Sequence, residues 1–443
     1  MDHVVTAFLR NRGKILLVRR APSAEPHPDR WAGISDYLEA EPADALVAIE
    51  RVLREAVGVE RTDLVRSGAP LTTPGNDRSR LVHPFLFDVG ERQLRPNGEI
   101  AAAEWLPPTA MRGRRTVPLL WEAYRRVSPS VETIETDDVH GASWLSLRAL
   151  EVLRDRAATA DGWEEVAAIA ERLRDARPGM VAIGNRVNHV MAAVVGGGGD
   201  GGGGSGGRDA AKSPTPARVH DRAVAAIERA ADADDAAARL TAERIASGRH
   251  RSGDGPVVTL SRSGTVLATL RELDSRSGGD GTLSVLVGES RPDREGVGTA
   301  EALAERGIAA TLAADGALPW LLERRDACCL LAGADAVDPG GGVYNKAGTY
   351  GVALAARRAG IPVVVVAARA KVAPSAGFRQ ERSDPAAVYG GSAGVQVATP
   401  RFDRTPPDLV TAIVTEEGPQ STKDVREIAS EHREAARWAG DDG

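Results

Sequence analysis

The chain has 443 residues, enough for two or three domains with separate cores, and its net charge of −6 argues against a nucleic-acid-binding protein. No apolar run approaches the ~18 residues of a membrane span. No signal peptide opens the sequence and only two cysteines, Cys328 and Cys329, are present, so we expect a soluble cytoplasmic protein without a disulfide framework.

Residues 1–127 have the pattern of a small α/β domain. Strand-length apolar runs occupy residues 3–10, 14–19, 83–89 and 103–106. The first two flank a polar turn at residues 11–13, which predicts a β-hairpin. Apolar residues at helical spacing within residues 43–57, followed by Gly58, predict a helix.

The end of this helix, Arg51-Val52-Leu53-Arg54-Glu55-Ala56-Val57-Gly58, resembles the Nudix hydrolase box, Arg-Glu-apolar-any-Glu-Glu-any-Gly. The resemblance implies a Nudix-type α/β/α sandwich that cleaves nucleoside diphosphates linked to another group. Its carboxylates bind Mg²⁺ or Mn²⁺, but only Glu55 is present, and Val52 and Ala56 replace the other two. Acids that could compensate after rearrangement are Asp36, Glu39, Glu41 and Glu50. We therefore expect a degenerate Nudix domain, with Mg²⁺ bound only if the domain is active.

Residues 128–250 have the pattern of a helical middle domain. Apolar residues on one helix face predict amphipathic helices over residues 144–153 and 163–173, and residues 219–245 predict the last helices before a sheet. Residues 196–207 are nearly all glycine, so we expect a flexible loop that joins two helices.

In residues 251–432, short apolar runs alternate with helical patterns, which is typical of a Rossmann-like domain with a parallel sheet. Predicted strands cover residues 256–260, 283–287, 327–332 and 361–366, and predicted helices cover residues 264–274, 298–306 and 348–359. Residues 433–443 are a predicted C-terminal tail.

The most informative stretch is residues 333–350, where the third of these strands runs into a loop with an acid, a glycine cluster and a lysine. Ligands of open α/β sheets bind beyond the carboxyl ends of the strands, which places Asp335 at a strand tip. Glycines at residues 340–342 allow a ligand to approach the backbone, and Asn345 and Lys346 precede a helix whose N-terminus could hold phosphate. We predict a site for a phosphorylated ligand; a glycine-rich turn with a solvated lysine is the alternative.

Five motifs occur in order along this part of the chain: Thr259-Leu-Ser-Arg-Ser263, Glu289-Ser-Arg-Pro-Asp-Arg-Glu295-Gly296, Gly333-Ala-Asp335, Asn345-Lys346-Ala-Gly-Thr-Tyr350 and Val414-Thr-Glu-Glu-Gly418. With them, about residues 137–430 resemble the initiation factor 2B α/β/δ group, which also contains methylthioribose-1-phosphate and ribose-1,5-bisphosphate isomerases. The resemblance implies a phosphorylated small-molecule ligand and association through the C-terminal domain, as a homodimer or a larger oligomer.

The resemblance also assigns roles. The isomerases' proton-donating aspartate falls on Asp335 and their reactive cysteine falls on Ser261. Ligand-binding positions fall on His140, Gly141, Ala142, Arg177, Arg262, Arg291, Glu295, Asn345 and Lys346. His140 stands where those enzymes usually have arginine, and Glu295 where the methylthioribose-phosphate enzymes have glutamine.

Serine at position 261 bears on catalysis. An aldose-to-ketose isomerisation needs groups whose protonation changes near neutral pH. A cysteine titrates near pH ~8.5, whereas a serine hydroxyl needs an adjacent base. No histidine lies near Ser261 in sequence, although His140, His189 or His250 could approach it in space.

Lysine is rare, and two of the five lysines, Lys346 and Lys371, follow predicted strands, where a compact ammonium suits phosphate. For Lys371 a surface role is equally open. The arginine-rich, lysine-poor composition is compatible with a GC-rich microbe, and the combination of families is one seen in archaea.

Three functions are open. We favour an initiation factor 2B-like ligand-binding or regulatory protein that recognises a phosphorylated sugar or nucleotide and carries a degenerate Nudix domain. The first alternative is a sugar-phosphate isomerase of the ribose-1,5-bisphosphate or methylthioribose-1-phosphate type with Asp335 as its acid. The second is a Nudix hydrolase centred on Glu55.

Overall fold

A computed structural model describes residues 2–38, 45–60, 62–73, 79–90, 92–196, 213–252, 255–278 and 282–440. Glu39, Glu41 and residues 197–207 of the predicted glycine-rich loop lie outside these ranges. Across the described ranges, none of the helices combines the length and the apolar character that crossing a membrane requires.

The N-terminal sheet grows from the predicted hairpin. Its strands are β1 (Asp2–Asn11), β2 (Lys14–Arg20), β3 (Trp31–Ala32), β4 (Ile34–Tyr37), β5 (Asp63–Ser67), β6 (Leu71–Thr73), β7 (Arg80–Asp88) and β8 (Ile100–Leu106). Strand β1 pairs antiparallel with β2 and parallel with β7, and β2 pairs with β8. Alternate residues of each strand face opposite sides of the sheet, so each side needs a cover.

Two helices provide that cover. Helix α1 (Ala45–Val57) packs Ile49 and Leu53 against Val5 and Leu9 of β1. Helix α2 (Leu120–Arg125) packs on the other side, against Phe8 of the same strand. The predicted α/β/α sandwich is confirmed.

The middle of the chain is helical, with α3 (Val131–Thr136), α4 (Ala142–Ala157), α5 (Trp163–Asp175), α6 (Val181–Val195) and α7 (Pro216–Ser252). The last predicted helices are one helix of 37 residues. Its first half packs Ile227 against the core of the bundle, and its second half packs Ala237 and Ile245 against the C-terminal sheet. Helix α7 therefore joins the two cores.

The C-terminal strands are β9 (Val257–Leu260), β10 (Ser284–Gly288), β11 (Ala309–Ala313), β12 (Cys329–Ala332), β13 (Ala336–Val337), β14 (Val343–Lys346), β15 (Val363–Val366), β16 (Phe402–Thr405), β17 (Ala412–Thr415) and β18 (Gly418–Gln420). The helices are α8 (Gly264–Arg276), α9 (Glu295–Ala304), α10 (Leu318–Arg324), α11 (Thr349–Ala359) and α12 (Thr422–Ala435). Helix α12 continues past residue 433, where the tail is predicted to begin.

The main sheet has the order β11-β10-β9-β12-β15-β17-β18, and its strands are parallel except for β18. The chain leaves β9 toward β10 and later returns to the other side of β9 as β12. Strand order therefore reverses between β9 and β12, and the connections after these strands diverge to opposite faces. Open α/β sheets bind ligands at such a switch point.

Candidate functional site

A cavity lies beyond the carboxyl ends of β9 and β12. Its lining residues are Val139, His140, Gly141, Ala142, Ser143, Trp144, Met180, Leu260, Ser261, Arg262, Ser263, Gly264, Glu295, Gly333, Ala334, Asp335, Asn345, Lys346, Lys371, Arg401 and Phe402. The wall therefore combines the start of the helical bundle with the switch point of the C-terminal sheet.

Two helices begin at this wall. Helix α4 begins after Gly141, and α8 begins after Ser263, whose Oγ accepts a hydrogen bond from the backbone N–H of Val266 at 3.4 Å. The N–H groups of a first helical turn lack partners within the helix and carry partial positive charge. The wall is therefore suited to an anion.

The cationic side chains in the wall are also suited to an anion. The cationic side chains are Arg262, Lys346, Lys371 and Arg401, and the carboxylates are Glu295 and Asp335. Arg401 is 10% exposed and lies 3.6 Å from Asp293 and 3.9 Å from Glu295 through its Nε and Nη2. These cations are suited to phosphate, which guanidinium and ammonium groups bind by charge-assisted hydrogen bonds.

Asp335 follows β12, and its backbone N–H donates to the carbonyl of Tyr344 at 2.8 Å. Burial raises the pKa of its carboxyl from 3.8 to about 6, against the opposing effect of Lys371 and Lys346. Burial also lowers the pKa of Lys371. Asp335 is thus an acid that can hold a proton close to neutral pH.

Ser261 has a left-handed backbone conformation, with φ of 65°, and its N–H donates to Oγ of Ser290 at 2.6 Å. Non-glycine residues rarely adopt this conformation, so contacts around the residue must hold it. The Ser261 hydroxyl donates to Oε2 of Glu295 at 2.5 Å, and Lys346 Nζ donates to Oε1 of the same carboxylate at 2.8 Å. The acceptor of the Ser261 hydroxyl is therefore a carboxylate, distant in sequence, rather than a histidine.

The three histidines considered from sequence have different places. His140 lines the cavity. The Nε2 atom of His189 lies 2.7 Å from Nδ1 of His432. The side chain of His250 lies outside the described residues.

Most of the predicted ligand-binding residues line the cavity, and two do not. Arg177 donates to the carbonyl of Asp137 and, through Nη2, to Glu381 at 2.8 Å. Arg291 is exposed and donates to the carbonyl of Ala387 at 3.0 Å.

The glycine cluster also lies outside the cavity wall. It forms the turn between β13 and β14, where Gly341 has a φ of 87°. Oδ1 of Asp338 accepts the N–H groups of Gly340 and Gly342 at 2.9 and 3.0 Å. The glycines therefore serve the turn.

At the N-terminus of α11, where the sequence predicted phosphate, the structure places the carboxylate of Asp403. Its Oδ2 accepts the N–H of Gly348 at 2.7 Å and that of Tyr350 at 3.2 Å. A carboxylate therefore occupies the N-terminus of α11, and the cavity meets the first turns of α4 and α8.

Sequence reasoning missed several wall residues. Lys371 was noticed for its position after a strand but not assigned to the site. Arg401 and Phe402 lie beyond a long segment, residues 372–400, whose one regular element is the short 3-10 helix Pro385–Ala387, so no periodicity places them. Trp144 was assigned only to the apolar face of a helix.

The Nudix resemblance implies a divalent-metal site on α1, and the described side chains do not fit one. Glu55 lies on the exposed face, with Oε2 at 3.0 Å from Nη1 of Arg51. Val52 is buried, and Ala56 has no ligand atom. Among the residues that the structure describes, no three His, Cys, Asp or Glu side chains are grouped to hold a metal ion.

Comparison with known families identifies both parts of the chain. A family model described as the initiation factor 2 subunit family matches residues 138–421. The chain belongs to this family. A NUDIX domain model matches residues 2–131, so the family part follows an N-terminal NUDIX domain.

Relatives of the initiation factor 2 subunit part are named as sugar-phosphate isomerases. A probable bifunctional methylthioribose-1-phosphate isomerase/methylthioribulose-1-phosphate dehydratase from Nocardia farcinica is 35% identical over 310 residues, 66% of this chain and 54% of the relative. The chain thus spans about half the length of that relative. A ribose 1,5-bisphosphate isomerase from Haloterrigena turkmenica is 32% identical over 321 residues, 66% of this chain and 90% of the relative.

A solved structure confirms the fold class. The translation initiation factor eIF-2B from Pyrococcus horikoshii superposes with a TM-score of 0.53 at 24% identity, over 65% of this chain and 94% of that one. At this identity the similarity shows the α/β fold alone.

Proposed function

We propose that the chain is an aldose–ketose isomerase for a ribose 1-phosphate compound, with ribose 1,5-bisphosphate as the first substrate to test. The observation that carries the proposal is Asp335, a carboxyl with a pKa of about 6 inside a cationic cavity. The names of the two relatives support it, and they favour this isomerase alternative over a regulatory role.

The bisphosphate is the first choice because of the charge in the cavity wall. Four cationic side chains line the cavity, although Asp293 also pairs with Lys346 and Arg401, and two helix N-termini add partial positive charge. A second phosphate can bind to these groups, whereas an apolar substituent at that end cannot. The Haloterrigena relative, of which the chain covers 90%, has this substrate in its name.

The proposed chemistry needs an acid and a base. Converting a cyclic aldose 1-phosphate to the open ketose protonates the ring oxygen, deprotonates the 2-hydroxyl and moves one hydrogen from C2 to C1. Asp335 supplies the proton to the ring oxygen. Glu295 accepts the proton of the 2-hydroxyl through Ser261, whose hydroxyl already donates to it.

The test is turnover of ribose 1,5-bisphosphate by the purified full-length chain, followed by ¹³C NMR. We expect ribulose 1,5-bisphosphate to form, Asp335→Asn to reduce kcat at least ~100-fold, and Lys346→Met to raise KM. Lys423→Met is the matched control, since Lys423 is 82% exposed. Tight binding without turnover would instead favour the regulatory interpretation. The absence of both binding and turnover would refute the proposal.

Association of copies through the C-terminal domain is part of the same proposal. Size-exclusion chromatography with light scattering on the full-length chain measures it directly, and a monomer at micromolar concentration would contradict it.

A further inference from the structure

Trp144 connects the cavity with the N-terminal domain. Its indole lines the cavity and stacks on the imidazole of His140, with ring centroids 3.8 Å apart and planes 10° apart. The indole N–H donates to Oδ2 of Asp88, the last residue of β7, at 3.4 Å. One side chain thus contacts both a cavity residue and the N-terminal sheet.

Asp88 is itself held in place. Nε and Nη2 of Arg10 donate to its two carboxylate oxygens at 2.6 and 2.9 Å, a bidentate pair with fixed geometry. Nη1 of Arg10 reaches Oε2 of Glu151 on α4 at 3.1 Å. Arg10 is 2% exposed and Glu151 is fully buried, so solvent does not compete for the contact between these two side chains.

Two guanidinium groups lie close to the Trp144 indole ring. The guanidinium carbon of Arg10 lies 5.5 Å from the centroid of the Trp144 ring, and that of Arg148 lies 4.9 Å from it. Cations at this range are attracted to the face of an indole. Trp144 is therefore restrained at its N–H and by the charges around its ring.

His140 takes its orientation from two contacts. Its Nδ1 lies 2.8 Å from Oδ2 of Asp137, which leaves Nε2 as the ring nitrogen for a ligand. The stacked indole fixes the plane of the ring. If the restraint on Trp144 is removed, the imidazole can rotate about its hydrogen bond to Asp137. A ligand that binds the imidazole must then fix its orientation.

We infer that Trp144 and Asp88 are positioning residues of the cavity, through which the N-terminal domain fixes the imidazole of His140 toward a phosphorylated ligand. The identity of that ligand rests on the proposed function. The orientation of His140 is a property of the ligand-free protein, so it can be measured separately.

The first experiment is NMR of the full-length chain labelled with ¹³C at histidine, with the His140 signal assigned by His140→Asn among the eight histidines. Trp144→Phe keeps a ring beside His140 but removes the N–H that Asp88 accepts, and Asp88→Asn removes the bidentate pair. We expect the order parameter of the His140 ring C–H bonds, from ¹³C relaxation, to fall in both variants.

Trp105→Phe is the matched control. The Trp105 indole N–H donates to the carbonyl of Arg92 at 3.4 Å, and the Arg92 guanidinium lies 5.8 Å from its ring. This variant loses the same kinds of contact within the N-terminal domain, and Trp105 does not line the cavity. We expect its His140 signal to match that of the unsubstituted chain.

The second measurement is calorimetric binding of ribose 1,5-bisphosphate together with steady-state turnover. We expect Kd and KM to rise roughly tenfold in Trp144→Phe and Asp88→Asn, with kcat changed less than about twofold. A His140 order parameter that is unchanged in Trp144→Phe, or that falls equally in Trp105→Phe, would overturn the inference. If the unsubstituted chain does not bind the bisphosphate, the proposed function fails, and the NMR result still decides the inference. If Asp88→Asn does not fold, Trp144→Phe decides it alone.

Discussion

Replacing Asp335 by asparagine should make the folded protein more stable at neutral pH while removing the proposed acid. Burial raises the pKa of this carboxyl to about 6 in the folded chain, above the usual 3.8 that applies once the chain unfolds. Between about pH 4 and pH 6 the folded protein therefore holds a proton that the unfolded chain has already released. Within that window stability falls as pH rises, and above pH 6 the whole penalty applies.

The pKa difference gives the size of the effect. The interval between 3.8 and about 6 is worth about 3 kcal/mol at 1.36 kcal/mol per pH unit, net of the attraction to Lys371 and Lys346. Asparagine has nearly the same shape and no charge, so Asp335→Asn avoids the penalty. We expect the free energy of unfolding to increase by about 2 to 3 kcal/mol at pH 7.5 and by only about 1 kcal/mol at pH 4.5.

Urea unfolding of the full-length chain, followed by circular dichroism at both pH values, measures this difference. Asp408→Asn is the control, because Asp408 is an exposed carboxylate of the same domain and its replacement should change stability at neither pH. The reasoning is refuted if Asp335→Asn is no more stable than the unsubstituted chain at pH 7.5, or if its gain is equal at both pH values. A gain accompanied by lost turnover would mark Asp335 as a residue at which stability is sacrificed for activity.

Three other substitutions test separate parts of the structure. Ser261→Ala removes the hydroxyl that donates to Glu295, and steady-state kinetics should show kcat reduced about tenfold or more with KM nearly unchanged; an unaltered kcat would exclude Ser261 from the proton path. Burial lowers the pKa of His432 to about 4 in the folded protein. As pH falls below 6.5 the unfolded chain takes up a proton before the folded protein does, so stability is lost toward pH 4. Urea unfolding at pH 7 and pH 5 should therefore show that His432→Gln loses less stability over this range than the unsubstituted chain. Glu55→Gln should leave Mg²⁺ binding measured by calorimetry unchanged, because Glu55 is paired with Arg51 on an exposed face, and a large loss would show a metal site that uses it.

The fold could be predicted where burial leaves a clear pattern. Strands β9, β12 and β15 are buried throughout, so each is a continuous apolar run in the sequence. Strand β11 is at the sheet edge and exposes most of its residues, and no strand was predicted there. Asp335 could be placed because it directly follows one of the buried runs.

The rest of the site depends on contacts between distant residues. Ser261 and Glu295 meet only because α9 begins beside the end of β9, and no local pattern records that proximity. Arg401 follows a long irregular segment and reaches the wall through tertiary contacts alone. The carboxylate of Asp403 at the N-terminus of α11 likewise comes from a distant strand.

The buried ion pair between Arg10 and Glu151 constrains how the N-terminal domain can evolve. A substitution at Arg10 leaves Glu151 fully buried with Arg148 as its ion-pair partner, and breaking a buried pair in this way costs about 3–5 kcal/mol. Glu55, on the exposed face of α1, carries no such penalty when it is exchanged. Substitutions on that face should therefore accumulate more readily over evolution than substitutions at Arg10, because only the latter leave a buried charge behind.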